Sequence, residues 1–99
     1  MKLRVARKAQ LQASRIEQWW DEHRPAADFL FADELDRTFR RLCETPNAGV
    51  RWPTARRPGL RRILMPNTGD HVYYEADEAT QTVFVIAIWG APRRRPPKL

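Results

Sequence analysis

The sequence predicts an α+β fold, in which a short N-terminal strand precedes an antiparallel helical hairpin that packs on one face of an antiparallel three-strand meander (β-α-α-β-β-β). Three observations predict it. Residues 82–90 read TVFVIAIWG, a run of β-branched and aromatic residues typical of a strand buried on both faces. Two stretches with helical spacing of apolar residues precede a loop at 46–59, and two further strand-like stretches follow it.

The first strand and the first helix are predicted by a change of periodicity. Residues 2–6 alternate between polar and apolar side chains, as a strand does. From Arg7 to about His23, apolar residues recur at steps of three and four, as in a helix. Its apolar stripe consists of Ala9, Ala13, Ile16 and Trp20. Pro25 ends this helix because its ring disfavours helical geometry at Arg24.

A second helix is expected to begin at Pro25 and to reach about Glu44. Its apolar stripe is Ala27, Phe31, Leu35, Phe39 and Leu42. Its solvated side carries Asp33, Glu34, Asp36, Arg37, Arg40 and Arg41. Two amphipathic helices with so short a connection pack as an antiparallel hairpin. Trp19 and Trp20 are interpreted as core and hairpin contacts, with a stacking platform as the alternative.

Strands are predicted at residues 60–65, 71–77 and 82–90, joined by short turns. In the last strand, strict alternation places one apolar row on each face. These rows are Phe84, Ile86 and Ile88 on one side and Val83, Val85, Ala87 and Trp89 on the other. The hairpin covers one face, so the second is expected to meet a partner unless the loop at 46–59 folds over it. Residues 1–90 form one predicted domain, and 91–99 (APRRRPPKL) form an extended or mobile tail.

The composition favours an acidic or phosphate-rich partner, because the 99 residues carry a formal charge of +6 and the sequence pI is near 10.4. The single cysteine, Cys43, excludes an intramolecular disulfide, and a cytoplasmic location is expected. No apolar run is long enough to span a bilayer. The two histidines lie far from Cys43 and from each other in sequence, so neither a metal site nor a cofactor is expected.

Several short segments, in their order and spacing, resemble the RelE/ParE superfamily of toxins from bacterial type II toxin–antitoxin systems. The likeness covers essentially the whole chain and has five parts. They are Trp19-Trp20…Arg24-Pro25, Leu42…Pro46-x-x-Gly49, Gly59-Leu60-Arg61-Arg62, His71-Val72-Tyr73-Tyr74-Glu75, and Ala87-Ile88-Trp89-Gly90-Ala91 followed by arginines.

The resemblance implies a small basic toxin that a cognate antitoxin holds inactive, without a small-molecule cofactor. We expect the antitoxin to contact apolar positions of the last two strands, namely Tyr74, Val85, Ala87 and Trp89. The family divides by target. The RelE-like branch cleaves messenger RNA on the ribosome, whereas the ParE-like branch poisons DNA gyrase.

RNA cleavage without a metal requires a base and cations that stabilise the phosphorane. The candidates are His71 as base and Arg61 and Arg62 as phosphate ligands. Target contacts are assigned to Tyr73, Trp89, Arg93 and Arg94, and alternation places His71, Tyr73 and Glu75 on one face. As the alternative, His71 is an ordinary half-exposed strand residue, and one of the two arginines is a solvated surface residue.

One departure from the ribonuclease branch favours the ParE-like branch slightly. Active ribonucleases of the family usually carry a Tyr or His close after the last strand, where this chain reads Gly90-Ala91-Pro92-Arg93. Arginine stabilises charge but is a poor proton donor. A basic nucleic-acid-binding module that is not a toxin is a further alternative.

Overall fold

The computed structural model describes residues 1–27, 29–90 and 97–99. It confirms the predicted order of strand, two helices and meander. The elements are β1 (Lys2–Val5), α1 (Arg7–His23), α2 (Leu30–Glu44), β2 (Val50–Arg51), β3 (Arg61–Met65), β4 (Asp70–Asp77) and β5 (Thr82–Gly90). A single 3-10 turn (Pro25–Ala27) stands where the second helix was expected to begin, and the two-residue β2 interrupts the predicted loop.

The five strands form one mixed sheet in the order β1-β5-β4-β3-β2. Strand β1 runs parallel to β5, and the remaining neighbours are antiparallel. The pairing of β1 ends where Val5 lies opposite Val85. Beyond that point, the side-chain oxygen of Gln12 on α1 accepts the backbone N–H of Ile88 at 2.8 Å. Helix α1 therefore replaces β1 as the partner of the last part of β5.

Both helices pack on the same face of the sheet, which we call the first face. Helix α2 contributes the fully buried Phe31 and Leu42, and α1 contributes Ala9, with Ile16 and Trp20 partly buried beside them. This confirms the apolar stripes except at Ala27, which lies in the 3-10 turn before α2. Trp19 was interpreted as a core residue, but its side chain is half exposed. It stacks on His23, with the two ring centroids 4.6 Å apart.

A β-bulge between β4 and β5 changes which residues of β5 share a face. Tyr74 pairs with Val85 and Tyr73 with Ala87, so Ile86 has no partner in the β4–β5 pairing. The prediction of strict alternation is therefore wrong beyond this point, because one extra residue reverses the faces. The first face carries Val83, Val85 and Ile88. The opposite face, which we call the second face, carries Phe84, Ala87 and Trp89.

The prediction that Glu34 is solvated is also wrong. Its carboxylate is buried and accepts three hydrogen bonds from the β3–β4 turn, namely from the backbone N–H of Asn67 and of Thr68, both at 3.0 Å, and from the Thr68 hydroxyl at 3.1 Å. Backbone N–H groups in a turn lack strand partners, and a carboxylate can accept several of them at once. Glu34 thereby fixes the turn to α2.

Residues 97–99, the described part of the predicted tail, have no regular secondary structure and pack against the protein. Pro97 is buried, and Leu99 is partly buried against a small cluster on the second face. The cluster is formed by Leu60, Tyr73 and Ala87. The chain therefore covers part of the second face with residues from beyond β5 rather than with helices.

Candidate functional site

The second face brings together a basic side chain and several aromatic side chains on neighbouring strands. Arg62 of β3 lies opposite Tyr73 of β4, and His71 of β4 lies between Leu64 of β3 and Trp89 of β5. The prediction that His71 and Tyr73 share a face is confirmed, and their ring centroids are 6.3 Å apart. The result is a row of aromatic rings with one guanidinium at its β3 end.

The guanidinium of Arg62 is held by two aromatic side chains. Its central carbon lies 3.6 Å from the ring centroid of Trp52, a cation–π contact. One of its nitrogens donates a long hydrogen bond of 3.5 Å to the Tyr73 hydroxyl. A cation–π contact of this kind contributes about 0.5–2 kcal/mol, which favours this orientation of the arginine side chain over its other rotamers. Arg62 therefore presents a pre-oriented positive charge beside an exposed indole ring.

His71 is a candidate proton acceptor because it is partly desolvated next to a cation. Burial lowers the pKa of His71 below its ordinary value of 6.5, and the charge of Arg62 lowers it further. The imidazole is therefore neutral at pH 7. A shallow groove of about 270 Å³ lies next to it and is lined in part by Val50 and Leu64. An imidazole and a guanidinium, those of His71 and Arg62, thus border one groove.

Arg61 and Arg62 point to opposite faces, although they were predicted as a pair. Arg61 lies opposite Tyr74, on the first face, and donates a hydrogen bond of 2.8 Å to the carbonyl oxygen of Gly49. Successive strand residues alternate between faces, so two adjacent arginines cannot hold one phosphate from the same strand. In this structure Arg61 anchors a loop, and only Arg62 reaches the candidate site.

The loop before β2 is fixed to the sheet at Gly49. The buried hydroxyl of Tyr74 accepts the Gly49 N–H at 2.9 Å and donates to the carbonyl oxygen of Pro46 at 2.7 Å. A Cβ on Gly49 would lie 2.7 Å from that hydroxyl, so only glycine fits this close approach. These contacts determine where β2 and Trp52 lie, and hence where Arg62 finds its aromatic partner.

The residues predicted to contact an antitoxin lie in three different places. Tyr74 and Val85 are fully buried in the core of the first face, and Ala87 is fully buried in the cluster on the second face. In this conformation their side chains offer no surface to a partner. Trp89 is partly exposed on the second face, next to His71. Arg93 and Arg94 lie outside the described residues.

Sequence reasoning missed Trp52 and Arg57, both in the loop between β2 and β3. Arg57 forms an ion pair of 2.6 Å with Glu75 and donates to the backbone oxygen of Leu99 at 3.2 Å. Neither residue belongs to a periodic segment, so no pattern of spacing marks it. The only available signal was composition, namely a tryptophan and several arginines within one loop.

Two further observations concern what the described part of the chain does not contain. Among residues 1–27, 29–90 and 97–99, no three His, Cys, Asp or Glu side chains are placed so that they could hold a metal ion. Within the same ranges, neither helix has the length and the apolar character that crossing a membrane would demand.

The fold and the arginine–aromatic face together define a small α+β protein with its two helices on one face of a mixed sheet and an arginine–aromatic cluster on the other. No protein-family model and no curated protein matches the sequence. Among solved structures, the chain is similar to one from the chromosomal ParDE toxin–antitoxin system of P. aeruginosa, with a TM-score of 0.73 at 16% identity over 91% of this chain and 95% of that one.

Two structures from E. coli are similar as well. The isolated RelE toxin has a TM-score of 0.60 at 18% identity, over 93% of this chain and 85% of that one. The intact RelBE toxin–antitoxin complex gives 0.60 at 17% identity, over 93% and 98%. At these identities the likeness shows the fold. The protein therefore has the fold of ParE and RelE toxins, which confirms at the level of fold the resemblance seen in the sequence.

Proposed function

We propose that this protein is the toxin of a type II toxin–antitoxin pair, which a cognate antitoxin neutralises and which arrests growth in the cytoplasm when free. The observation that carries the proposal is the shared fold, which extends over at least 91% of this chain in each of the comparisons above. The second face adds local support, because it offers a cation and exposed aromatic rings where a partner can bind.

We favour a ParE-like mode, in which the toxin acts by binding DNA gyrase. The structure from the ParDE system superposes better than the two RelE structures, with a TM-score of 0.73 against 0.60. Binding requires no proton donor, which agrees with the lack of a Tyr or His just after β5. In this mode Arg62 and Trp52 contact the target through charge and stacking.

The RelE-like mode, ribosome-dependent cleavage of messenger RNA, is kept as the second candidate because of His71. A neutral imidazole can take the proton of a 2′-hydroxyl, and Arg62 can stabilise the charge that develops on the phosphorus oxygens. Tyr73 hydrogen-bonds to the same arginine. In this mode the second face is an active site, and His71 carries the chemistry.

Expression from a tightly repressed promoter tests the toxin role. The protein should arrest growth on induction, and coexpression of a small acidic protein encoded by the neighbouring reading frame should restore it and co-purify with the toxin. Sustained growth of cells that contain soluble, monodisperse protein would contradict the proposal. In that case, salt-sensitive binding to naked DNA or RNA would identify the nucleic-acid-binding alternative.

Two assays on the purified protein separate the modes. The ParE-like mode predicts inhibition of gyrase supercoiling and no cleavage of messenger RNA on translating ribosomes, whereas the RelE-like mode predicts the reverse. His71→Gln should abolish cleavage if the RelE-like mode holds. His23→Gln is the matched control, because His23 lies on the exposed side of α1, stacked on Trp19. Full cleavage by His71→Gln would exclude His71 as the base.

A further inference from the structure

One flank of helix α1 borders a groove that the proposed function does not use. The groove has two adjoining parts, of about 610 Å³ and about 530 Å³, and Arg15 lines both of them. The first part lies between α1 and Trp89, near the end of β5, and the second reaches Trp19 and Arg24 at the corner between the two helices. From Lys8 to Trp19 the helix rises by about 16 Å, so the groove has room for several units of an extended polymer.

The charged side chains along this groove are cations with one exception. The cations are Arg7, Lys8, Arg15, Arg24 and Lys98. Within the described ranges, none of them forms an ion pair with a carboxylate. The exception, Asp70, is only 6% exposed, and the carboxylates of α1 itself (Glu17, Asp21 and Glu22) line neither part. The groove therefore offers a strip of positive charge to an anionic ligand.

Exposed apolar side chains stand between these cations. On α1, Leu11 and Trp19 are 49% and 47% exposed and border the first and the second part. The partly exposed Trp89 lines the first part from the side of the sheet. The Trp19 ring already lies against the His23 ring, with an angle of 11° between the two planes. Its position therefore suits parallel contact with another flat ring.

We propose that this groove binds a single-stranded nucleic acid, with its phosphates on the cations and its bases against Trp19 and Trp89. A positively charged groove with aromatic stacking platforms is the arrangement by which proteins bind single strands without reading their sequence. The guanidinium of Arg15, which both parts share, can bind one phosphate through two N–H groups. An acidic peptide complements the cations equally well, but its carboxylate side chains offer no flat ring to the indoles.

The groove is distinct from the candidate site around Arg62, since it lies along α1 rather than on β3 and β4. Only Trp89 borders both, because it is also the neighbour of His71 on the second face. The protein can therefore hold a nucleic acid along α1 while the second face contacts a protein target. This inference goes beyond the proposed function and does not rest on it.

Fluorescence anisotropy of labelled oligothymidylate and oligouridylate, each of about twelve nucleotides, tests binding to the purified full chain. Arg15→Gln should weaken binding and reduce the slope of log Kd against log salt by about 0.7, the share of one phosphate contact on a single strand. Trp19→Ala should weaken binding about tenfold, because it removes one stacking platform, and should leave that slope unchanged.

Two variants outside the groove serve as matched controls. Arg40→Gln removes an exposed arginine of α2, which pairs with Asp36, and Phe29→Ala removes an aromatic ring that is 73% exposed and lines neither part. Both should bind the oligonucleotides as the wild type does. Circular dichroism verifies that each variant is folded, and if Trp19→Ala fails to fold, the salt slope of Arg15→Gln decides the question.

Binding of either oligonucleotide that depends on Arg15 and Trp19 supports the proposal, and the tighter of the two identifies DNA or RNA as the source of the strand. Equal or tighter binding of the matching duplex, whose bases are hidden in the stack, would overturn it. Polyglutamate that competes as well as the oligonucleotide would also overturn it and would identify an acidic peptide as the ligand. Loss of binding in Arg62→Ala but not in Arg15→Gln would place the nucleic acid on the second face instead. None of these results depends on growth arrest, so this proposal and the toxin role can fail independently.

Discussion

Replacing Tyr74 with phenylalanine tests how the sheet holds the loop that positions Trp52. The Tyr74 ring is fully buried, and its hydroxyl bonds to the Gly49 N–H at 2.9 Å and to the Pro46 carbonyl oxygen at 2.7 Å. The substitution deletes one oxygen atom without changing the ring. Both backbone groups then lose this partner, in a place that water reaches poorly.

The cost follows from what the two groups lose. A buried donor left unpaired costs about 1–3 kcal/mol, and the Pro46 carbonyl adds less because it is only partly buried. We therefore expect a loss of about 2–3 kcal/mol in the free energy of unfolding. For a domain of this size, that loss lowers the melting temperature by about 10–20 °C.

Thermal and urea unfolding, followed by circular dichroism, measure this loss. The neighbouring tyrosine provides the control, because the Tyr73 hydroxyl makes one long contact of 3.5 Å with Arg62. Tyr73→Phe should cost less than about 0.5 kcal/mol. Equal melting temperatures for the two variants would refute the claim that the Tyr74 hydroxyl anchors the loop.

The remaining predictions concern the contacts that fix the loop before β2 and the β3–β4 turn, and the pH dependence of stability. Gly49→Ala sets a Cβ 2.7 Å from a β3 carbonyl oxygen and should lower the melting temperature, while Gly59→Ala, with no atom within 4 Å, should not. Glu34→Gln should cost about 1.5–3 kcal/mol in urea unfolding, because charge-assisted bonds to the β3–β4 turn are lost. Burial lowers the pKa of His71, so stability falls as the pH drops below 6.5, and His71→Gln should flatten that decline. Burial raises the pKa of Tyr74 above 10.0, so stability falls as the pH rises beyond that value, and Tyr74→Phe should lack this part of the loss.

The elements that the sequence predicts most accurately are those with strong local signals. The first helix was expected from Arg7 to about His23, and α1 has these bounds because its apolar spacing is regular and Pro25 follows it. Strand β5 (Thr82–Gly90) likewise keeps its predicted bounds. In both elements, the residues that determine the structure are neighbours in sequence, so periodicity alone is sufficient.

The errors come from contacts between residues that are distant in sequence. The bulge at Ile86 depends on the register of two strands, and the burial of Glu34 depends on a turn more than 30 positions later. The contacts of residues 97–99 with Lys8, near the start of the sequence, and with Arg57, near its middle, likewise join residues that no local pattern connects. Charged residues in a helical pattern indicate a solvated side, and only the three-dimensional arrangement shows which of them is an exception.

Part of the candidate site could be predicted from alternation along the strands, and the rest depends on contacts between distant residues. Alternation along β4 places His71 and Tyr73 on one face, and the structure confirms it. Applied to β3, the same rule separates Arg61 from Arg62, which the pairing of the two as phosphate ligands overlooked. Trp52 lies in an irregular loop, so its contact with Arg62 could not be read from any period.

The most direct test of the central claim, that the second face is the working surface of a toxin, is growth arrest by Arg62→Ala. Arg40→Ala is the charge-matched control, because Arg40 lies on the exposed side of α2 in a pair with Asp36. We predict that Arg62→Ala permits growth while its melting temperature remains within a few degrees of the wild type, and that Arg40→Ala arrests growth as the wild type does. Undiminished arrest by a folded Arg62→Ala protein would contradict the account.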